Sequence, residues 1–385
     1  MNLPVRQVVR RHPPLGSTTR SVPEKLTELL SRFYRLGEIT AYQRVFRGQV
    51  NTGHIIETVL DQKRSKYFIR QYHPSRKITE IEFEHALINH LADRKFELAG
   101  RVILTTTGQT YVPLSVGKER TGRTEIFAVF EYLNGVVRYD WTPPLCNLRA
   151  LENAATVLAR YHQAVADWRP ANGRTRPGIA EQLVQTQAKL KAWCGGAGDT
   201  CFDASLVNRL DLILRSNSRV LAVLRTPAYD RLPRLAIHGD FHPGNLTFEQ
   251  DRVSGVFDFD WATIDVRCFD VALSIFYFCV LWQDDKDGHL DTDRTALFIH
   301  SYQNTFREKA NIGRLNRTEQ QLLPDMILAA DIYVLGWVLS DFYTGPVDVD
   351  TYTGYLRHGL NYLRWAETNN SQRFWNDIID NGDSA

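Results

Sequence analysis

The chain has 385 residues, of which 43% are hydrophobic, so it is long enough for two lobes with an ample core. A formal net charge of +2 gives no strong basic field for nucleic acid, and the longest apolar runs fall short of the roughly 18 residues of a membrane span. Five cysteines, an odd number without a Cys-x-x-Cys pair, argue against a disulfide framework and a zinc site. We therefore expect neither nucleic acid nor a membrane as a partner, and the oligomeric state stays open.

Residues 1–23 form a basic lead that contains Pro, Ser and Thr. The lead has neither the apolar core of a secretory signal nor a convincing transit-peptide pattern, so we interpret it as a flexible extension. Together with reduced thiols, this favours a cytoplasmic protein.

The stretch Phe46–Val59 predicts a strand, a glycine-punctuated turn and a second strand with alternating apolar residues. Gly48 and Gly53 flank this turn, where backbone N–H groups could approach a phosphate because glycine has no blocking side chain. The same pair of glycines is also typical of any hairpin, and the Gly-Lys-Ser/Thr ending of a P-loop is missing.

Periodicity and turn signals predict the next elements. Apolar residues repeat at helical spacing over Ile78–Ala92, and a short apolar strand over Phe127–Leu133 ends in Asn-Gly. The glycine-rich stretch Trp193–Asp203 predicts a loop. Further along, helical patterns dominate, including Asp325–Phe342 and Tyr352–Glu367.

The most informative pattern is His-Gly-Asp-Phe-His-Pro-Gly-Asn, which contains Asp240 and Asn245 and is followed by Asp258 after a short apolar run. Phosphoryl transfer needs positioning and charge neutralisation more than covalent chemistry. Asp240 can accept or orient the proton of a substrate hydroxyl, while the oxygens of Asn245 and Asp258 are hard ligands suited to Mg²⁺. We therefore expect ATP and Mg²⁺ as cofactors and a small-molecule hydroxyl as the acceptor.

This pattern resembles the catalytic loop of protein kinases, with His-Gly-Asp in place of His-Arg-Asp. Together with His242-Pro243-Gly244-Asn245 it is similar to the aminoglycoside phosphotransferase and choline kinase superfamily. The resemblance implies an α+β, bilobal protein-kinase-like fold, with a small N-terminal antiparallel sheet plus a helix and a larger, mainly helical C-terminal lobe. Residues 24–133 would form the nucleotide-binding lobe, and 134–385 the lobe with the catalytic loop and acceptor site.

The same resemblance implies roles for residues outside the loop. Arg70, in a strand over Tyr67–Tyr72, would reach the nucleotide phosphates and pair with Glu84 of the following helix, or with Glu80 as the fallback. Gly48 and Asn51 would lie in the turn over the phosphates. Backbone groups near Glu131 and Leu133 would read the adenine edge. Asp270 would cap its helix and hold the catalytic loop, and Asp260 would either touch a second metal or be a solvated acid. His162 would pack in the core or brace the loop.

The acceptor class stays open at this point. An aminoglycoside would need several carboxylates, and the candidates are Asp284, Asp285, Asp287, Asp331 and Asp341. A choline-like acceptor would need an aromatic cage. Its candidates, Tyr277, Trp282, Tyr333 and Trp337, are equally typical of a core. A weak resemblance of Tyr34–Ile39 and of the spacing from Asp265 to Asp270 favours a homoserine kinase-like branch, and a sugar acceptor is a further option.

Two other function classes compete with the small-molecule kinase. A catalytically inactive kinase-like scaffold is the alternative, but Asp240, Asn245 and Asp258 are all of the active type. A protein kinase would need an Asp-Phe-Gly motif followed by a long activation segment, whereas here the chain passes directly into the helix that begins near Asp270. The sequence therefore favours a kinase with a small acceptor.

Overall fold

The computed structural model describes residues 22–45, 51–116, 123–171, 173, 176–306, 312–368, 371 and 374–375. Gly48 and most of the N-terminal extension lie outside these residues. The chain separates into two compact units, one formed by Met1–Ile78 with Gly100–Tyr132 and the other by Thr79–Ala99 with Leu133–Ala385.

The first unit is built on an antiparallel sheet. Its strands are β1 (Glu38–Val45), β2 (Thr52–Leu60), β3 (Lys63–Gln71), β4 (Val102–Ile103), β5 (Val112–Val116) and β6 (Arg123–Glu131), preceded by α1 (Glu24–Phe33). The strand order is β1-β2-β3-β6-β4, and β5 also pairs with β6. The second strand of the predicted hairpin is observed as β2, and from His54 to Val59 its residues alternate between buried and partly exposed. The buried side includes the polar residues His54 and Thr58, so the alternation is one of burial and not of apolar character.

Helix α1 covers one face of this sheet. Leu26, Leu29 and Leu30 follow helical spacing and join a core that includes Ile69 and Phe127 of the sheet. The Lys25 ammonium pairs with Glu125 and lies over the Phe127 ring. The apolar stripe of α1 therefore explains where this helix packs.

The second unit is mainly helical. Its helices are α2 (Ile78–Asp93), α3 (Leu148–Val165), α4 (Ile179–Gly195), α5 (Cys201–Val207), α6 (Leu210–Val223), α7 (Pro227–Asp230), α8 (Arg267–Cys279), α9 (Thr292–Asn304), α10 (Arg317–Thr344) and α11 (Val349–Ala366). Its strands form two short antiparallel pairs, β7 (Arg234–Ile237) with β10 (Thr263–Val266) and β8 (Leu246–Glu249) with β9 (Arg252–Val256). An antiparallel sheet in one unit and a larger helical unit confirm the α+β prediction.

Helix α10 is longer than the sequence pattern indicated. The predicted segment began at Asp325, whereas α10 begins at Arg317 and runs through Pro324. The cost of one missing backbone hydrogen bond is offset because the helix is buried over most of its length. Within the described residues, α10 is long and apolar enough to cross a membrane, yet 72% of its most apolar window is buried inside the protein, which is typical of a core helix. The predicted loop near Gly195 is shorter than expected, since α4 ends at that glycine and α5 begins at Cys201.

Candidate functional site

The hairpin of β8 and β9 brings Asn245 and Asp258 to the same end of a ladder. Leu246 pairs with Val256, so Asn245 lies just before one strand and Asp258 just after the other. The Phe257 amide donates to the Asn245 carbonyl at 3.1 Å, which extends the ladder by one step. Residues thirteen apart in sequence are thus held next to each other by backbone hydrogen bonds.

Asp240 and Asn245 are joined directly. The Asn245 amide nitrogen donates to the Asp240 backbone carbonyl at 2.9 Å and to its carboxylate Oδ2 at 2.8 Å. Its two hydrogens are therefore used, and its Oδ1 atom points away from Asp240 as the oxygen that could ligate a cation. The Tyr277 hydroxyl donates to the other Asp240 oxygen at 3.4 Å, and the Asp240 side chain keeps 20% of its surface exposed. A substrate hydroxyl can therefore reach a carboxylate whose orientation is fixed.

His242 lies beside the expected base. Its Nε2 atom lies 3.5 Å from Asp240 Oδ2, and its Nδ1 atom accepts a hydrogen bond from the Gly244 amide at 3.0 Å. Burial lowers the pKa of His242, but the attraction of Asp240, a hydrogen bond with it and the charges of Asp140 and Asp258 together outweigh burial, so this pKa lies above its ordinary value. Neither spacing nor motif pointed to this contact.

Asp270 anchors the catalytic loop from inside the core. Its fully buried carboxylate accepts hydrogen bonds from the backbone amides of His238 and Gly239 at 2.8 and 2.9 Å, and His162 Nε2 lies 3.1 Å away. The other nitrogen of His162 accepts from the Tyr302 hydroxyl at 2.7 Å. Asp270 lies in the first turn of α8, but its observed hydrogen bonds go to the loop and not to its own helix.

The ionisation of this buried pair follows from its hydrogen bonds. Burial opposes the charge on Asp270, yet the pKa of Asp270 lies below its ordinary value because the carboxylate accepts hydrogen bonds from His162 and from the His238 backbone amide. Burial also lowers the pKa of His162. A neutral imidazole that donates to an ionised carboxylate satisfies both residues.

The conformation of Asp258 is unusual for a residue with a side chain. Its backbone lies in the left-handed region, with φ 66° and ψ 56°, and its side chain is partly buried. Such positions cost energy and concentrate at functional sites. The next acid, Asp260, is buried at 8% exposure, so it is not a solvated acid.

The donor set fits Mg²⁺. One carboxylate from Asp258 and one amide oxygen from Asn245 are hard ligands, and a nucleotide metal ion takes its other ligands from phosphates and water. No group of three or more His, Cys, Asp and Glu that could hold a metal occurs in the described part of the chain.

The nucleotide candidates of the first unit lie on or beside the sheet. Arg70 of β3 pairs with Gly53 and Ala128 on the neighbouring strands, and its guanidinium, largely buried, lies near the rings of Phe68, Tyr72 and Phe130. Asn51 accepts a hydrogen bond from the His73 amide at 3.0 Å, which ties the turn before β2 to the segment after β3. Glu131 ends β6 with an exposed side chain, and its amide already donates to the Arg101 carbonyl at 2.9 Å.

The other candidates belong to the second unit. Glu84 of α2 is buried, with 3% exposure, while Glu80 on the same helix pairs with Arg176 at 3.2 Å. Leu133 packs on Gly255 of β9, where an added Cβ would stand 2.9 Å from the Leu133 Cβ. Leu133 is thus fixed on the hairpin that bears Asn245 and Asp258.

An aromatic group beside Asp240 centres on Trp141, which the sequence did not single out. The Trp141 ring centroid lies 5.8 Å from Tyr277, 5.7 Å from Trp282, 6.3 Å from Trp337 and 4.5 Å from Tyr355. The sequence had offered Tyr277, Trp282 and Trp337 as an aromatic cage, but neither Trp141 nor Tyr355 was among the candidates. Only the tertiary structure brings these two residues to the group.

Comparison with known proteins gives consistent results. The model of a phosphotransferase enzyme family matches residues 51–301. A homoserine kinase from Bradyrhizobium sp. (strain BTAi1 / ATCC BAA-1182) is 25% identical over 328 residues, covering 84% of this chain and 86% of the relative.

Solved structures share the fold. The amicoumacin kinase hAmiN, in complex with AMP-PNP, Ca²⁺ and Ami, aligns with a TM-score of 0.61 at 16% identity and covers 89% of this chain and 94% of its own. An aminoglycoside phosphotransferase from Alicyclobacillus acidocaldarius subsp. acidocaldarius DSM 446 aligns with a TM-score of 0.62 at 15% identity, covering 96% and 100%.

Proposed function

The chain belongs to the phosphotransferase enzyme family and is a kinase that acts on a hydroxyl group, and from this premise we propose that it transfers the γ-phosphoryl group of ATP, with Mg²⁺, to a small amino alcohol. The observation that carries this proposal is the direct hydrogen bond from Asn245 to the Asp240 carboxylate. In this arrangement the Asn245 side-chain nitrogen orients Asp240, the proposed base, and the Asn245 side-chain oxygen is left for the metal ion.

Each catalytic-loop residue then has a distinct task. Asp240 accepts the proton of the acceptor hydroxyl, and the Tyr277 hydroxyl bond keeps its carboxylate in one orientation. Asn245 Oδ1 and the Asp258 carboxylate hold the metal ion. A bound Mg²⁺ neutralises phosphate charge that repels the incoming oxygen.

The nucleotide contacts extend the proposal. Arg70 would grip the phosphates with its planar fork, with Glu84 as its acidic partner, and Gly48 and Asn51 would contribute the turn over them. Adenine would be read by backbone groups near Glu131 and Leu133. Since the Glu131 amide already donates to Arg101, Leu133 is the better donor. Residues 24–133 would form the nucleotide lobe and 134–385 the acceptor lobe of a cytoplasmic enzyme.

Two comparisons support the finer points. The Bradyrhizobium relative carries the name homoserine kinase, which favours an amino alcohol over a sugar or an aminoglycoside as the acceptor. The hAmiN structure holds AMP-PNP, an ATP analogue, and a divalent cation, which favours ATP with a metal ion.

An acceptor screen tests the proposal. Purified protein with Mg²⁺ and ATP is offered homoserine, choline-type compounds, sugars and aminoglycosides, and ADP release is measured for each. We expect release to require both Mg²⁺ and one amino alcohol. If no acceptor raises release above the rate without acceptor, and Mg²⁺ with ATP leaves the melting temperature unchanged, the proposal is wrong.

A further inference from the structure

Arg176 contacts both helix α2 and the segment that carries Asp258. Its Nη2 atom lies 3.2 Å from Glu80 Oε2 of α2, and its guanidinium carbon lies 4.8 Å from the centre of the Trp261 ring. We propose that Arg176 is a positioning residue that holds the segment from Asp258 to Trp261 in the arrangement that binds the metal ion. This inference rests on the proposed kinase function and adds to it a residue that acts through others.

One guanidinium group can make both contacts at the same time. The edge of its planar fork carries the N–H groups that donate to a carboxylate, while its face can lie on an aromatic ring. The side chains of Arg176 and Glu80 are 14% and 15% exposed, so water screens this pair little. Arg94 and Asp167 form another pair beside α2, but they are 45% and 41% exposed, and such surface pairs contribute little. The partly buried pair is therefore the one suited to fix a position.

Trp261 connects the arginine to the catalytic residues. It ends the short turn Phe259–Trp261, which directly follows Asp258 and its left-handed backbone. A backbone in such a sparsely populated region persists only where its surroundings hold it. The Trp261 carbonyl oxygen also packs on Gly239, the neighbour of Asp240, since an added Cβ on that glycine would stand 2.6 Å from it. A displacement of Trp261 would therefore disturb both Asp258 and the residue before the expected base.

The backbone near Arg176 is fixed by contacts of its own. Three residues further on, the Ile179 amide donates to Asp265 Oδ2 at 2.7 Å. The other oxygen of this carboxylate accepts from Arg234 at 2.8 Å. Asp265 lies in β10, which begins two residues after Trp261, so the arginine and its aromatic partner are both attached to the same strand. Arg176 is thus oriented before any ligand binds.

Helix α2 has further contacts that do not depend on Arg176. The Phe83 ring lies 5.1 Å from the Trp168 ring, and His90 Nε2 lies 2.9 Å from the Ala164 carbonyl oxygen. These contacts join the middle and the end of α2 to α3 and the segment after it. Removal of the Arg176 side chain should therefore leave the helix folded and packed.

Arg176→Gln tests the proposal in the full chain. The melting temperature is measured with ATP at increasing Mg²⁺, and the Mg²⁺ concentration that gives half of the stabilisation should rise by about ten-fold. Arg94→Gln is the matched control, because it removes an exposed ion pair just beyond the other end of α2, and it should shift this concentration by less than about two-fold. An equal Mg²⁺ dependence in the two variants would overturn the proposal.

A double-mutant cycle tests whether Arg176 acts through the aromatic ring. Trp261→Leu should raise the half-maximal Mg²⁺ concentration, and adding Arg176→Gln to it should raise the concentration little further, because the arginine then has no ring to hold. Glu80→Gln should give a smaller effect, since the contact with the ring remains. Additive effects of Arg176→Gln and Trp261→Leu would show that the two residues act separately, which contradicts the proposal.

Hydrogen exchange without ligands separates this inference from the kinase function. The Phe257 and Ala262 amides donate backbone hydrogen bonds at 3.1 and 3.0 Å, so exchange of residues 257–262 reports on the segment. It should be faster in Arg176→Gln and unchanged in Arg94→Gln. Unchanged exchange in Arg176→Gln would overturn the inference whether or not the protein is a kinase. If exchange responds as expected but ATP with Mg²⁺ does not stabilise the unmodified protein, the positioning contact is supported and the proposed function fails.

Discussion

Asn245 donates both hydrogens of its side-chain amide to Asp240, one to the backbone carbonyl and one to the carboxylate. This relationship couples the expected base to the expected metal ligand, because the amide that orients Asp240 leaves only its oxygen for a cation. The two residues therefore act as one unit, and substitutions at either should not be additive.

The first prediction concerns the base. Asp240→Asn keeps the shape of the side chain but removes the proton acceptor, so turnover should fall by about 10²-fold or more. Binding of ATP with Mg²⁺, measured as a rise in melting temperature, should be largely kept. Unchanged turnover would remove Asp240 from the mechanism.

The second prediction concerns Asp258 and distinguishes the effect of its side-chain charge on metal binding from the effect of its left-handed backbone on stability. Asn adopts the left-handed conformation as readily as Asp does, so Asp258→Asn should remove the metal-binding charge without added strain. The Mg²⁺ concentration that half-maximally stabilises the protein with ATP should rise by about ten-fold or more. Asp258→Ala should also lower the free energy of unfolding by about 1 kcal/mol. Equal Mg²⁺ dependence in the unmodified protein and Asp258→Asn would contradict the metal role.

The third prediction concerns the anchor of the loop. Asp270→Asn replaces by an amide the carboxylate that accepts hydrogen bonds from two backbone N–H groups and from His162. The free energy of unfolding should therefore fall by about 1.5–3 kcal/mol. Turnover should fall as well, because the loop that bears Asp240 loses its support. Urea unfolding measures the first effect, and Asp285→Asn, an exposed acid, is the control. A loss no larger than that of the control would show that the buried contacts carry little stability.

The fourth prediction uses two glycines with nearly the same backbone. Gly239 has φ 74° and an added Cβ would stand 2.6 Å from the Trp261 carbonyl oxygen, whereas Gly108 has φ 79° and open space around it. Gly108→Ala should cost only backbone strain, about 1–2 kcal/mol. Gly239→Ala should cost more and should also lower turnover, because its neighbour Asp240 must shift. Equal melting temperatures for the two variants would contradict the close approach at Gly239.

The fifth prediction is a pH dependence at His54. Burial and, to a lesser extent, Arg44 lower the pKa of His54 to about 4, and the Tyr42 hydroxyl lies 2.9 Å from its Nδ1. The unfolded chain titrates near 6.5, so between about pH 6.5 and 4 it binds more protons than the folded chain. The free energy of unfolding should be highest above about pH 6.5 and fall as the pH is lowered.

Denaturant titrations at several pH values measure this effect. His54→Gln should flatten the dependence between pH 6.5 and 4, while His300→Gln, at an exposed histidine, should leave it unchanged. An identical slope in His54→Gln and in the unmodified protein would show that other groups cause the acid sensitivity.

Local residue spacing was sufficient to predict some of the secondary-structure elements near the catalytic loop. The short apolar run before Asp258 forms β9, and the helix predicted over Ile78–Ala92 is observed over Ile78–Asp93, because apolar runs and helical repeats depend on neighbouring residues. The sequence predicted a helix over Asp325–Phe342 but not the full length of α10. The burial that compensates for Pro324 comes from contacts with other helices, which a local pattern does not contain.

The sequence by itself determined the residue types of the catalytic loop, the α+β class and the kinase chemistry, because Asp240, Asn245 and Asp258 are linked by one short hairpin. Only the tertiary structure decided what surrounds them. The resemblance implied that Asp270 and His162 hold the loop, but only the tertiary structure shows that Asp270 binds the loop amides directly and is itself contacted by His162, 108 residues away. Likewise, only the tertiary structure shows that Trp141 meets Tyr277 and Tyr355 from distant parts of the chain. Contacts over such separations depend on how whole helices pack, and no local pattern encodes them.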